Sequence, residues 1–373
     1  MDPGACPSGR ACTVRSARSL WNIYETTDSC RAGGFLTETH STSARKTVVV
    51  TGASAGVGRA VALAFAERSD RVALLARGAA GLAGAANDVH AAGGTPLALS
   101  VDVADPEAVE RAAARIEIEL GPIDIWVNNA MTTIFAPVSQ ISPAEFRRAT
   151  EVTYLGAVWG TMAALRRMRA RDHGVVIQIG SALAYRAIPL QAPYCGAKHG
   201  LRGFTDAVRC ELLHDKSGVA ITMVHLPALN TPQFSWGRTR MPRHPQPVPP
   251  IFQPEVAARA VVAASENPRR ELWVGWPTVK AIAGNKVIPG LADRYLARTA
   301  YGAQQMEEAV PPERRDNLVA PVDEERDFGA HGIFGARARS SSAMLFVALH
   351  RRWLLLGSSF AAGAVAIILS RRT

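Results

Sequence analysis

The chain has 373 residues, 42 lysines and arginines against 32 aspartates and glutamates, and a formal net charge of +10. Hydrophobic residues make up 48% of it, enough for a large core, which excludes a wholly disordered chain. The basic excess would suit nucleic acid or an anionic membrane, but no zinc-finger spacing, RNA-binding aromatic motif or lysine-rich run is present, so no nucleic-acid partner is expected.

Residues 1–44 carry Gly, Ser, Thr and scattered Arg with no apolar run long enough for a signal peptide, and read as a disordered extension. From Lys46 short apolar runs alternate with Ala-rich helical stretches. Strands are predicted at Thr47–Val50, Val72–Ala76, Leu97–Val101, Ile123–Val127, Val175–Ile179 and Val219–Val224. Helices are predicted at Arg59–Arg68, Leu82–Ala92, Pro106–Leu120, Pro143–Arg169 and Ala192–Leu213. Fully apolar strands between helices imply a parallel sheet covered on both faces, a doubly wound, Rossmann-type α/β fold. The main domain is drawn over residues 45–298. Within it, the proline-rich residues 241–254 read as a loop or lid. A helix at Pro254–Glu266, a strand at Glu271–Gly275 and a helix from about Thr278 to Ala297 complete it.

Residues 299–342 read as an irregular tail, and 343–373 as a hydrophobic terminal segment. Within the latter, the run Trp353–Ser370 is apolar or small throughout, with Arg351 and Arg352 before it and Arg371 and Arg372 after it. Eighteen helical residues span about 27 Å, just enough for a bilayer core, so a membrane anchor is expected, with the main domain facing the cytoplasm. A terminal helix packed on the domain or on a second copy is the alternative. Cys6, Cys12, Cys30, Cys195 and Cys210 form no CxxC pair or disulfide framework, in keeping with a reducing compartment. The nine histidines show no HExxH or i, i+4 pairing, and no metal is expected.

Between the first strand and its helix lies Thr51-Gly52-Ala53-Ser54-Ala55-Gly56-Val57-Gly58. Glycines let the backbone turn sharply and approach a pyrophosphate, and the helix offers its free N–H groups and positive dipole end to it. Gly52, Ser54, Gly56, Val57 and Gly58 are therefore cofactor-binding candidates. The second strand ends in Ala76-Arg77-Gly78, where NAD-binding folds favour an acidic residue. The Arg77 guanidinium suits a 2′-phosphate, with Arg59 placed to assist, so NADP is preferred and NAD is the alternative.

Tyr194-Cys195-Gly196-Ala197-Lys198 puts a tyrosine and a lysine at i and i+4 on one helix face. A nearby ammonium lowers a phenol's pKa, and the tyrosine can then exchange a proton with a carbonyl or alcohol while hydride moves at a nicotinamide. Ser181, thirteen residues earlier at a strand end, can orient the same substrate oxygen. Cys195 lacks an activating histidine and reads as a packing residue.

In the order and spacing of these motifs, residues 46–275 resemble the short-chain dehydrogenase/reductase family. The shared features are Thr51–Gly58, Asp102 before Val103, Asn128-Asn129-Ala130, Ser181, and Tyr194 with Lys198. The resemblance implies Tyr194 as acid/base, Ser181 as substrate orienter and Lys198 as ribose holder and pKa modulator. It further implies Asp102 and Val103 at the adenine, Asn128 and Ala130 beside the cofactor, Thr231 in a loop that shapes the nicotinamide site, and homo-oligomers formed through the long helices. Three departures stand out. Thr153 falls where the family has an asparagine behind the lysine, Met131 where it has a glycine, and Ala228 where Pro-Gly is usual. The expected activity is hydride transfer between NADP(H) and a carbonyl or secondary alcohol. An epimerase or dehydratase built on the same site is one alternative, and a membrane-anchored NADP(H)-binding protein without turnover is another.

Overall fold

The computed structural model describes residues 45–351. The N-terminal extension and the apolar run Trp353–Ser370 lie outside the described residues, so the disorder expected of the first and the membrane span expected of the second rest on sequence alone. Among the described residues no helix is long and apolar enough to cross a membrane.

Strands and helices alternate in chain order. They begin β1 (Thr47–Thr51), α1 (Gly56–Ala66), β2 (Arg71–Ala76), α2 (Ala79–Ala91), β3 (Thr95–Ser100), α3 (Pro106–Leu120) and β4 (Ile125–Asn128). They continue with α4 (Pro143–Thr150), α5 (Gly156–Ala170), β5 (Gly174–Ser181), α6 (Ala192–His214) and β6 (Val219–Leu226). The short α7 (Gln233–Trp236), α8 (Pro254–Glu266), β7 (Glu271–Trp273), α9 (Trp276–Val287) and α10 (Pro289–Ala303) follow. The main sheet is parallel throughout, in the order β7-β6-β5-β4-β1-β2-β3. The winding reverses between β1 and β4, and the loops that leave those two strands diverge to open a crevice at the carboxyl edge.

Alternation of side chains along a strand builds both layers of the core. Val48 and Val50 join Val61, Phe65, Val256 and Val261 of α1 and α8 on one face. Val49 joins Ile116, Ala163 and Met168 of α3 and α5 on the other. Each such side chain removed from water contributes about 1.5–3 kcal/mol, which fixes the register of the strands that carry the site. Helix starts are equally local: Asp105 accepts from the main-chain N–H groups of Glu107 and Ala108 ahead of α3, which has Pro106 in its first turn.

Three readings change. The helix expected over Pro143–Arg169 is interrupted by a π-helical turn at Glu151–Leu155. There the Thr153 hydroxyl donates to the main-chain oxygen of Thr132 (2.9 Å) and accepts from its N–H (3.0 Å), tying the helix to the loop after β4. The helix expected from Thr278 to Ala297 breaks at Ile288 because Pro289 has no N–H to continue it. The segment after residue 299 is irregular for most of its length, yet its main chain is tied to the domain at many points. Gln305–Ala309 pairs with Arg243–Pro245, and Ala338–Arg339 pairs with Ile251–Phe252, both within or beside the proline-rich loop. Residues 316–329 cross the loop after β2 and the first turn of α2. Residues 343–351 are helical, and Leu345 is buried in the core layer of α1 and α8.

Candidate active site

The turn after β1 needs glycine at two points. Gly52 has φ +65° and Gly56 φ +59°, a region that side chains with a Cβ avoid. Gly58 has ordinary helical geometry, but a Cβ there would overlap the main-chain oxygen of Gly52. Its role is close approach of α1 to β1. The first turn of α1 thus faces a cleft of about 900 Å³ at the switch point. Gly52, Ser54, Gly56 and Val57 line it from the turn, and Arg77 from the end of β2. Asp102, Val103, Ala130 and Thr231 close it.

A second cleft, of about 1470 Å³, continues from the first, and Val57, Asn129, Met131 and Thr231 line both. Ser181, Tyr194 and Lys198 meet on its wall, brought there by the end of β5 and the first turns of α6. The Ser181 hydroxyl sits beside the Tyr194 hydroxyl, close enough to act on its titration, and accepts from the Leu183 N–H at 3.1 Å. The Lys198 ammonium is 5.6 Å from the centre of the Tyr194 ring and donates to the main-chain oxygen of Ile179 at 2.7 Å. The far walls are apolar: Leu183, Ile188, Leu229, Phe234 and Leu296.

Burial dominates the electrostatics here. It pushes the Tyr194 hydroxyl up to about 12, against the lowering effect of the neighbouring Ser181 side chain, although the ring keeps some exposure to the cleft. It pulls Lys198 down to about 8. The i, i+4 spacing of Tyr194 and Lys198 predicts that the lysine lowers the phenol. In the folded chain desolvation leads and raises it instead, so the Tyr194 hydroxyl keeps its proton at neutral pH. Cys195, pushed up to about 11 by burial, is a packing thiol.

The residues fit a dinucleotide. A glycine cradle with no room for a Cβ faces one cleft, and the acid–base cluster sits in the next, with shared walls between them. A sequence model described as "short chain dehydrogenase" matches residues 46–239. The uncharacterized oxidoreductase YxnA of Bacillus subtilis is 30% identical over 276 residues, covering 73% of this chain and 77% of its own. The chain belongs to the short-chain dehydrogenase family. Among solved structures, a short-chain dehydrogenase from Streptomyces avermitilis superimposes with a TM-score of 0.57 at 25% identity, covering 70% of this chain and 99% of its own. A metagenomic short-chain oxidoreductase in complex with NADP gives 0.52, also at 25% identity, over 61% of this chain and 96% of its own.

Several expected positions behave differently in this short-chain dehydrogenase. Asn128 does not reach the cleft. Its side chain accepts from Trp126 Nε1 (2.8 Å) and donates to Thr161 (3.0 Å) inside the core, and its neighbour Asn129 lines both clefts. Arg59 is buried and held by Asp88, Asp327 and two main-chain oxygens, so it is not placed to assist at a 2′-phosphate. Arg77 stands at the cleft, but its two terminal nitrogens donate to the main-chain oxygens of Val319 (2.7 Å) and Asn317 (2.5 Å). Asp102 pairs with Arg148 at 2.5 Å, and the hydrogen bonds from Arg148 and Ala104 outweigh burial and hold its carboxyl low. Thr153, fully occupied with Thr132, is bonded to the loop after β4.

Two groups escaped sequence reading. Asn317, Val322 and Asp323 reach the cofactor cleft only because a distant segment folds back over it, and Arg148 of α4, paired with Asp102 beside the cleft, ties that segment down at the Leu318 oxygen. His225 looked like one of nine scattered histidines. It is fully buried under the site, with Nδ1 donating to the main-chain oxygen of Ser181 at 3.1 Å and Nε2 facing Glu271 at 3.6 Å, beyond ordinary hydrogen-bond reach. Its place on the β6 register beside Gly180 was the available signal.

Proposed function

We propose that this chain is an NADP-dependent oxidoreductase that interconverts a carbonyl and a secondary alcohol on an apolar substrate. The observation that carries this reading is the Ser181–Tyr194–Lys198 cluster on the wall of a cleft continuous with the glycine cradle. The dinucleotide supplies or accepts the hydride when bound. Tyr194, protonated at neutral pH, donates its proton to the substrate oxygen, and Ser181 holds that oxygen by a second hydrogen bond. Lys198, anchored on Ile179, places a positive charge behind the ring and eases departure of the phenolic proton. The choice of NADP rests on Arg77 at the end of β2, on the absence of a carboxylate on that strand end, and on the NADP complex of the metagenomic relative.

The apolar second cleft supports a bulky hydrocarbon-rich substrate, with Val248 and Tyr295 partly exposed among its lining residues. The purified chain should consume NADPH with large apolar ketones at a kcat/KM well above that for short water-soluble ones. Equal rates for both would remove the apolar part of the reading. The run Trp353–Ser370 supports attachment to a membrane. A chain ending at residue 351 keeps the buried Leu345 and should leave the membrane fraction, and its retention there would sink the anchor.

A further inference from the structure

The segment 316–329 lies over the adenosine end of the cofactor cleft and is held there by contacts on three elements. Main-chain oxygens of Asn317 and Val319 accept from Arg77. Main-chain oxygens of Asp323 and Glu324 accept from the N–H groups of Gly81 and Ala80, and the Glu324 carboxylate accepts from that of Ala79 (3.1 Å). These three amides belong to the first turn of α2, whose dipole end favours negative charge. Asp327 grips Arg59 with both oxygens (3.0 and 2.9 Å), and the main-chain oxygen of Gly329 accepts from Gly56 at 3.1 Å.

The helix beneath is built for this contact. Gly78 at the N-cap and Gly81 and Gly84 within α2 recur every third residue, and for the latter two, glycine inside a helix costs about 0.5–1 kcal/mol relative to alanine. A Cβ at Gly78 or Gly81 would overlap the Asp323 carboxylate, and one at Gly84 the Asp327 carboxylate. The three glycines form a groove that admits those two side chains. Asp323 is 8% exposed, and both it and Arg77 line the cleft.

Two facts then bear on what the adenosine end accepts. The Arg77 nitrogens best suited to a phosphate are donating to the segment, and a carboxylate from the same segment stands close by. We propose that residues 316–329 form a strap that must lift off Arg77 before a 2′-phosphate binds, and that Asp323 sets the discrimination between the two nicotinamide dinucleotides. The strap rests on the cofactor reading given above. In the strapped form, an unphosphorylated ribose offers hydroxyl donors to Asp323, whereas a 2′-phosphate meets like charge and an occupied arginine. In the lifted form Arg77 is released to pair with the 2′-phosphate.

The test uses the full chain and two kinds of readout. Dissociation constants for NADPH and NADH are measured by titration calorimetry for the parent, for Asp323→Asn and for Asp327→Asn. The first variant removes a charge at unchanged size, and the second loosens the strap away from the ribose. Both should bind NADPH about tenfold tighter, with NADH binding unchanged or weaker. Hydrogen exchange of residues 316–329 is followed with 2′,5′-ADP and with 5′-AMP. The first should speed exchange in the strap, and the second should not. NADPH binding that is unchanged or weaker in both variants overturns the strap, as does slower exchange with 2′,5′-ADP, which would mean a clamp. Turnover with NADPH beside either of those results leaves the cofactor reading standing alone. Strap opening by 2′,5′-ADP without any NADPH turnover leaves the strap standing and removes the oxidoreductase reading. No binding of any of these nucleotides to any form overturns both.

Discussion

The Lys198 ammonium lies 5.6 Å from the centre of the Tyr194 ring and is fastened to Ile179 by its own hydrogen bond. The fastening fixes the lysine's distance from the phenol, so its charge acts on Tyr194 from a set place. Burial makes the two groups titrate far from their ordinary ranges, the tyrosine up to about 12 and the lysine down to about 8.

That separation predicts the pH profile of carbonyl reduction. Tyr194 keeps its proton throughout the neutral and mildly alkaline range. Lys198 loses its charge as pH rises through about 8, so kcat/KM for reduction should fall above that value. In Lys198→Met the rate should drop and the limb near pH 8 should vanish. A limb that persists in the variant would assign it to another group.

Lys198 also costs stability. Its pKa is lower in the folded chain than the ordinary 10.5, so the unfolded chain binds more protons between about 8 and 10.5 and stability rises with pH across that window. At neutral pH the full cost is present. Lys198→Met should therefore raise stability by on the order of 1–3 kcal/mol at pH 7, a gain that fades towards pH 10.5. Denaturant melts at several pH values measure it, and a loss at pH 7 would show that the bond to Ile179 matters more than the burial of charge.

Beneath Ser181, burial would raise the Glu271 carboxyl, but the facing His225 ring and hydrogen bonds from Tyr185 (2.5 Å) and Trp273 (2.8 Å) outweigh it and bring it down to about 2. A carboxyl depressed in the folded state contributes stability above its ordinary 4.5, and that contribution is lost as pH falls from there towards 2. Glu271→Gln should flatten this acid limb by about 1–3 kcal/mol. It should also lower kcat more than it raises KM, because His225 then holds the Ser181 main chain less firmly. An unchanged kcat would confine the cluster to stability.

Thr153 tests the π-helical turn. Its hydroxyl satisfies both main-chain groups of Thr132 in a fully buried setting. Thr153→Val leaves both without a partner and should cost about 1–3 kcal/mol in a denaturant melt. A cost near zero would mean that the loop after β4 finds other partners.

The strands and the glycine turn were legible in the sequence because their signals are local. An unbroken apolar run such as Thr47–Val50 can only be a buried strand here, and Pro106 and Pro254 mark helix starts at the positions observed. The Ser181, Tyr194 and Lys198 grouping followed from strand-end and i, i+4 spacing. What was illegible depends on contacts between residues far apart in the chain. Arg77 read as available to a 2′-phosphate because nothing near it in sequence announces Asn317 and Val319. The lysine's expected effect on Tyr194 missed the desolvation that only packing reveals. The π turn at Thr153 depends on a partner on another element, and periodicity carries no trace of it.

The central claim is that Tyr194 delivers the proton in a nicotinamide-dependent carbonyl reduction. Single-turnover oxidation of NADPH by the full chain with an apolar ketone, compared between the parent and Tyr194→Phe, tests it most directly. Tyr194→Phe should bind NADPH as the parent does, and its rate of hydride transfer should fall by roughly 10²–10⁴-fold. A Tyr194→Phe chain that oxidises NADPH at the parent rate would contradict the account.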